Sequence, residues 1–357
     1  MHKMPEVSVS DGLKLLIITQ AVDLDEPVLA FFHGWIVEFA KHCEHVRVVC
    51  LKKGRYALPA NVSVYSLGKE SGASRIRYIR NFYRYIWNLR KEYDAVFVHM
   101  NPEYVVLAGW FWRVLSKRIG LWYIHPQASF SVRIALLFVH RVMSATEKSF
   151  PLHTAKLAAL GIGVDTGFFS PSLAKIQGAQ KLRVMQVARL APVKRVACVI
   201  NAVSDVTARG IPITCDQYGS SLPRDARYAA DMRKLAATIP QGVWTFRGDV
   251  TQEQVRDAYR SHDVHVNATD SGSFDKAVFE SMACGCITIA SNRALAGVLP
   301  EELQFVEGDS HSLADVLMHV NKMSRDERAA LSVRIRRLMA EKYSLAVLIG
   351  RIVATLS

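Results

Sequence analysis

Short apolar runs alternate with helix-periodic segments along almost the whole chain, and they do so in two series. In the first, strand-like runs fall at 13–19, 46–51, 62–67, 95–100, 121–125 and 141–145, with helical patterns at 28–43, 75–91 and 104–116. In the second, strands are expected at 183–188, 213–218, 243–246, 264–267, 287–290 and 304–306. Helices there are expected at 195–209, 227–238, 252–261, 276–284 and 313–322. Strand–helix alternation implies parallel sheets covered on both faces, an α/β architecture. The series is too long for one open sheet and pauses at 169–181, a polar stretch containing Pro171 and Gly178. The pattern predicts two doubly wound, Rossmann-like domains, 1–168 and 182–340, joined by a 169–181 linker. A C-terminal helix over 341–357 is free to pack back on the first domain. A single (β/α)8 barrel is the competing fold; the polar pause and the unequal loops argue against it. Ligands of doubly wound sheets bind at the carboxyl ends of strands, here in a cleft between the domains.

The chain has 357 residues, enough for two cores. No run approaches the ~18 apolar residues of a membrane span. The first apolar run breaks at Gln20 with no small-residue cleavage site after it, which reads as a strand rather than a signal peptide. The six cysteines are irregularly spaced and several lie in strand-like runs, as free thiols of a reducing, cytoplasmic compartment would. Lys and Arg number 45 against 32 Asp and Glu, a net charge of +13. That surplus points to a polyanionic partner: nucleic acid, an anionic membrane or a phosphate-bearing substrate.

The stretch Asp270-Ser-Gly-Ser-Phe-Asp-Lys-Ala-Val-Phe-Glu-Ser-Met-Ala-Cys-Gly-Cys286 follows a predicted strand. Gly272 and Ser273 lie in a small turn. Asp275 suits a helix N-cap and Gly285 a C′ position. The helix between them would open at the carboxyl end of a strand, where free N–H groups favour an anion. Lys276 in its first turn opposes the dipole unless an anion offsets it. Glu280, one turn on, could accept two ribose hydroxyls. A plain Lys276–Glu280 surface pair fits the same spacing. A second basic pair, Arg189 and Lys194, directly follows the 183–188 strand; a guanidinium fork and a compact charge suit a diphosphate, and two solvated loop cations fit as well.

These residues resemble a family-4 (group 1) retaining glycosyltransferase of the GT-B fold, two Rossmann-like domains facing across a cleft. Gly163-Val-Asp-Thr-Gly-Phe-Phe-Ser-Pro171 is similar to the family's segment before the linker. Arg189 and Lys194 match its phosphate clamp. Phe246-Arg-Gly-Asp-Val250, with Tyr259 and Asp263-Val-His-Val-Asn267, is similar to its base-packing block. Phe274 to Gly285 matches the end of its E-x7-E signature, with Glu280 as the second glutamate. The match runs from about 160 to 290. The resemblance implies that Arg189 and Lys194 hold the diphosphate of a nucleotide-sugar and that Glu280 holds its ribose. It sets Gly272, Ser273, Phe274, Asp275 and Lys276 around the sugar and phosphates, and Phe246 by the base. It places His125 near the transferred sugar. It implies a nucleotide-sugar co-substrate, no cofactor, no metal, and a saccharide or lipid-linked acceptor in glycan biosynthesis. Two features depart from the pattern. Gly272 stands where the first glutamate belongs, leaving Asp275 or Asp270 nearest to replace it. The glycine-rich loop after the first strand is replaced by Gln20-Ala-Val-Asp-Leu-Asp-Glu-Pro27, whose acids, Asp25 among them, could meet acceptor hydroxyls.

His99 and Asn101 close another predicted strand and are further acceptor-side candidates, although a strand-end histidine is more often structural. Trp110, Trp112 and Trp122 read as core. Segment 75–91 interleaves Arg75, Arg77, Arg80, Arg84, Arg90 and Lys91 with aromatic residues. It suits a peripheral contact with anionic lipid on the inner face of the cell membrane, or simply a solvated basic face. Two other readings stand beside transfer: a sugar-nucleotide epimerase on the same fold, and a basic nucleic-acid-binding protein. No recognisable nucleic-acid-binding motif supports the latter, so no specific nucleic acid is expected.

Overall fold

In the computed structural model the described residues are 12–26, 29–125, 127–172, 181–270 and 274–357. They form two units. The first runs to Gly163 and includes Leu345–Ser357; the second is Val164–Ser344.

The first unit contains β1 (Lys14–Val22), α1 (Phe31–His42), β2 (His45–Lys53), β3 (Val62–Ser66), α2 (Arg75–Asn88), β4 (Ala95–His99), α3 (Pro102–Val114), β5 (Arg118–Trp122), α4 (Phe130–Phe138), β6 (Arg141–Ser144) and β7 (Leu157–Ala159). Its parallel sheet has the order β3-β2-β1-β4-β5-β6-β7. The second unit contains β8 (Leu182–Val187), α5 (Val196–Ala208), β9 (Ile213–Tyr218), α6 (Ala226–Ala236), β10 (Trp244–Gly248), α7 (Gln252–Ser261), β11 (Val264–Asn267), α8 (Lys276–Ala283), β12 (Ile287–Ala290), α9 (Ser310–Lys322) and α10 (Arg325–Lys342). Its five parallel strands run β10-β9-β8-β11-β12. The last helix, α11 (Leu345–Leu356), rejoins the first unit. Both sheets are doubly wound: the strand order reverses between β1 and β4 and between β8 and β11. Those two points are where such sheets open a crevice.

The central strands are apolar on both sides, as covered parallel strands require. Leu16, Ile18, Val96 and Val98 face a core shared with Phe82 and Ile86 of α2 and Trp112 of α3. Leu15, Ile17, Ala95 and Phe97 face Trp35 and Phe39 of α1 and Leu348 and Ile352 of α11. Among the described residues no helix is long and apolar enough to cross a membrane. All six cysteines are buried free thiols.

Several expectations are corrected. The strand expected at 121–125 lies at Arg118–Trp122, so His125 falls beyond it. Ala95 of β4 pairs with Arg118, and the following strand residues stay in step. Gly120 hid this strand from a propensity reading. A Cβ there would lie 2.3 Å from Met143 Cε and 2.7 Å from Leu356 Cδ2, so those side-chain ends would have to shift. Segment 304–306 forms only an isolated bridge, Ala290 to Gln304, and no strand. The helix expected from 195 starts one residue later: Lys194 ends a 3-10 turn, and Arg195 adopts a left-handed conformation (φ 45°) before α5 starts. Trp112 and Trp122 are buried, but Trp110, at a neighbouring α3 position, is 52% exposed. The division between units falls at Gly163, earlier than the polar stretch. The segment just after it is tied to the second unit, where Arg336 donates to the Thr166 and Phe169 carbonyls and Arg260 to that of Ser170.

Candidate functional site

The loops leaving β8 and β11 meet at the reversal point of the second sheet. Asp270 N–H donates to the Val193 carbonyl (3.1 Å), which stitches the two loops together. Lys194 Nζ reaches across to Thr269 Oγ1 (3.2 Å) and to Asp275 Oδ2 (2.6 Å). The same carboxylate oxygen accepts from Asn267 Nδ2 (3.1 Å) and Thr269 Oγ1 (3.0 Å). Its other oxygen accepts from Ala277 N–H (3.3 Å), so Asp275 is the N-cap of α8. Burial alone would raise the Asp275 pKa, but the Lys194 charge and these hydrogen bonds outweigh it and hold the group below the usual carboxylate range. The left-handed backbone at Arg195 accompanies a pairing of its guanidinium with Asp270, and Glu307 lies 3.7 Å away.

Lys276 opens α8 at the surface, and Glu280 is half-buried one turn on. Burial raises the Glu280 pKa to about 7; Lys276 works against the shift and Asp275 adds to it. Solvent reaches the Lys276 side chain, yet the protein packed around it reduces its hydration. This pulls its pKa below the usual lysine value, with Glu280 opposing. Beneath them, Tyr259 and His265 are fully buried with ring centroids 5.3 Å apart. Tyr259 Oη and both His265 ring nitrogens lack hydrogen-bond partners among the described residues. Burial lowers the His265 pKa to about 4, so the ring is neutral at physiological pH. The α8 helix ends at the expected place, with Gly285 at φ 75° just past Cys284.

The remaining predicted residues divide clearly. Arg189 is exposed after β8 and makes no side-chain hydrogen bond or ion pair to the described residues. Phe274 is half-buried against Phe279, ring centroids 5.2 Å apart. Phe246 sits on β10 at the edge of the sheet, 5.8 Å from Trp244 and under Arg233. Gly272 and Ser273 lie outside the described residues. Asn267 and Thr269, which hold Asp275, are not singled out by the sequence; polar residues at and just past the end of an apolar strand are the signal that points to them.

In the first unit, Gln20 of β1 and Asn101 after β4 meet at the reversal point, Nε2 to Oδ1 at 2.6 Å. Asn101 Nδ2 also donates to the His99 carbonyl. His99 is buried and stacks on Phe32 with centroids 4.1 Å apart, so packing dominates its surroundings. Asp25 is exposed and forms a two-bond pair with Arg55 (2.7 and 3.0 Å). His125 is exposed in the loop after β5, where Nδ1 accepts from Gln127 N–H (3.1 Å).

Residues 181–321 match the family model described as glycosyl transferases group 1. No curated protein matches the chain. Solved structures do. An Anabaena protein, Alr3699/HepE, in complex with UDP and glucose is 13% identical with a TM-score of 0.71, covering 96% of this chain and 99% of that one. A glycosyltransferase from Rickettsia africae is 10% identical, TM-score 0.72, covering 96% and 97%. A sucrose-phosphate synthase from Thermosynechococcus elongatus is 15% identical, TM-score 0.66, covering 96% and 99%. The chain has the GT-B fold. In that GT-B frame, the Lys194–Asp275 cluster occupies the reversal point of the unit that carries the matched segment.

Proposed function

We propose that this protein is a glycosyltransferase that moves a sugar from a nucleotide-diphosphate sugar to a saccharide or lipid-linked acceptor, with retention and without a metal. The observation that carries the reading is the convergence of Lys194, Asp275, Lys276 and Glu280 on the start of α8 at the sheet's reversal point. Transfer builds negative charge on the leaving diphosphate, and fixed cations there lower the barrier. Arg189, exposed and unpaired among the described residues, takes one phosphate as a fork. Lys194 and the N-terminus of α8 take the other, and Glu280 accepts from the ribose. The bond between the anomeric carbon and the diphosphate oxygen breaks, its electron pair staying on the diphosphate. The acceptor hydroxyl bonds to that carbon on the same face, and its proton passes to a phosphate oxygen. His125 donates a hydrogen bond near the sugar.

The Anabaena neighbour Alr3699/HepE was crystallised with UDP-glucose, which makes that the first donor to test. Thermal-shift screening of UDP-, GDP- and ADP-sugars followed by product analysis decides the matter. Stabilisation by one donor and transfer with the anomeric configuration kept are expected. Stabilisation by nucleic acid alone would overturn the reading, and product formation without an acceptor would favour an epimerase.

We also propose that α2, α3 and α4 meet an anionic membrane. These helices share one face of their sheet and expose Ile76, Ile79, Trp87, Trp110, Val114, Phe130 and Leu137. Exposed Arg75, Arg77, Arg80, Arg84 and Arg133 lie among them, while α1 and α11 on the other face carry no exposed large apolar residue. Apolar anchors flanked by arginine suit a charged lipid surface. Co-sedimentation with phosphatidylglycerol vesicles at low salt is expected, and equal recovery with phosphatidylcholine alone would remove the claim.

A further inference from the structure

A cleft of about 550 Å³ opens in the first unit at the amino ends of β5 and β6, the ends opposite those that carry Asn101 and His125. Among the described residues its walls include Arg113, Arg118, His140, Arg141 and Lys156, and no carboxylate. Four cations in one cleft repel each other. Here Arg118 and Arg141 are exposed and make no side-chain hydrogen bond or ion pair to the described residues.

The donors outnumber the acceptors in a way that can be counted at His140. Its Nδ1 receives Ile119 N–H at 3.0 Å. Its Nε2 faces Arg113 Nη1, which can only donate. A neutral imidazole has one acceptor nitrogen, so it cannot satisfy both, and a protonated one satisfies neither. Burial and the charges of Arg113, Lys156 and Arg118 hold the ring below its usual pKa. Lys156 Nζ is anchored to the Leu136 carbonyl (2.6 Å). Burial, then Arg113, pull its pKa down as well. A group with several acceptor oxygens and multiple negative charges would give the arginines the acceptors these walls lack and offset their mutual repulsion.

We propose that this cleft is a second anion site, taking a phosphate-bearing ligand of at least two negative charges. The site does not rest on the proposed transferase activity, since it uses none of the residues assigned to it.

Two titrations of the full chain test this, one with pyrophosphate and one with vesicles of phosphatidic acid, phosphatidylcholine vesicles serving as control. Each is run on the native protein and on an Arg118→Gln/Arg141→Gln variant. Because the Lys194 site also suits a diphosphate, stoichiometry is the readout for pyrophosphate. The variant is expected to bind one fewer, and without ligand to melt at a higher temperature because repulsion is relieved. Loss of the phosphatidic acid interaction alone identifies a lipid headgroup, and loss of a pyrophosphate site alone a soluble ligand; either supports the proposal. Unchanged stoichiometry together with unchanged vesicle binding overturns it. So does a variant whose ligand-free melting temperature falls, since the arginines would then be structurally compensated.

Discussion

Lys194 Nζ lies 2.6 Å from Asp275 Oδ2, an ion pair between residues 81 positions apart that closes the reversal point of the second sheet. Both side chains are under one-fifth exposed. Replacing Asp275 by Ala leaves a buried ammonium without its counter-charge and removes the α8 N-cap. Loss of one partner of a buried pair typically costs about 3 kcal/mol, and loss of a cap about 1 kcal/mol. Asp275→Asn keeps a capping oxygen and is expected to cost less. Urea unfolding of the two variants checks the order, and equal losses would show that the cap contributes nothing.

Glu280 titrates from about 7 in the folded protein rather than from 4.5, chiefly because it is buried. A carboxyl whose folded pKa is raised favours the folded state below the unfolded value, and that advantage is lost as pH climbs through about 7. Glu280→Gln has no such loss. It is expected to match the native protein in acid and to exceed it at alkaline pH, by on the order of 1 kcal/mol after allowance for solvent screening. Ribose hydroxyls prefer the ionised form. UDP affinity of the native protein is therefore expected to fall as pH drops through about 7, and to be at least about tenfold weaker at alkaline pH in the variant. Calorimetric titration across pH reads both, and a pH-independent native affinity would remove Glu280 from the ribose.

The parts of this molecule that could be read from its residues are those set by local chemistry. The 264–267 strand, Asp275 as N-cap and Gly285 at C′ all appear where cap preferences put them. What escaped depends on partners distant in sequence. Gly120 weakens a strand by propensity, and the Met143 and Leu356 side chains that fill the space over it come from distant parts of the sequence. Trp110 and Trp112 share composition and neighbourhood, but their orientation depends on which side of α3 faces the sheet. The left-handed turn at Arg195 and its pairing with Asp270 required the two loops to be brought together first.

Arg189 separates binding chemistry from folding. Its side chain is exposed and makes no side-chain hydrogen bond or ion pair to the described residues, so Arg189→Ala is expected to leave unfolding within about 0.5 kcal/mol of native. If the guanidinium stabilises the leaving diphosphate, turnover of the nucleotide-sugar falls by about a hundredfold or more. Arg189→Lys retains the charge but not the fork and should recover only part of it. Normal turnover in Arg189→Ala would sink its role in transfer.

Gly285 tests how tightly the end of α8 is held. Its φ of 75° is the left-handed conformation in which a side chain is strained, and an added Cβ would lie 2.7 Å from Ser332 Oγ of α10. That hydroxyl is not free to retreat without cost, because it donates to the Gly285 carbonyl at 2.5 Å. Gly285→Ala therefore combines backbone strain with a displaced hydrogen bond, a loss of about 1–2 kcal/mol. Ser332→Ala in the same chain removes the clash and the hydrogen bond together while leaving the strain. The double variant is expected to be less destabilised than the sum of the two single changes. Thermal melts of all four proteins give the coupling directly, and strict additivity would mean that the helix end relaxes away from α10 rather than pressing against it.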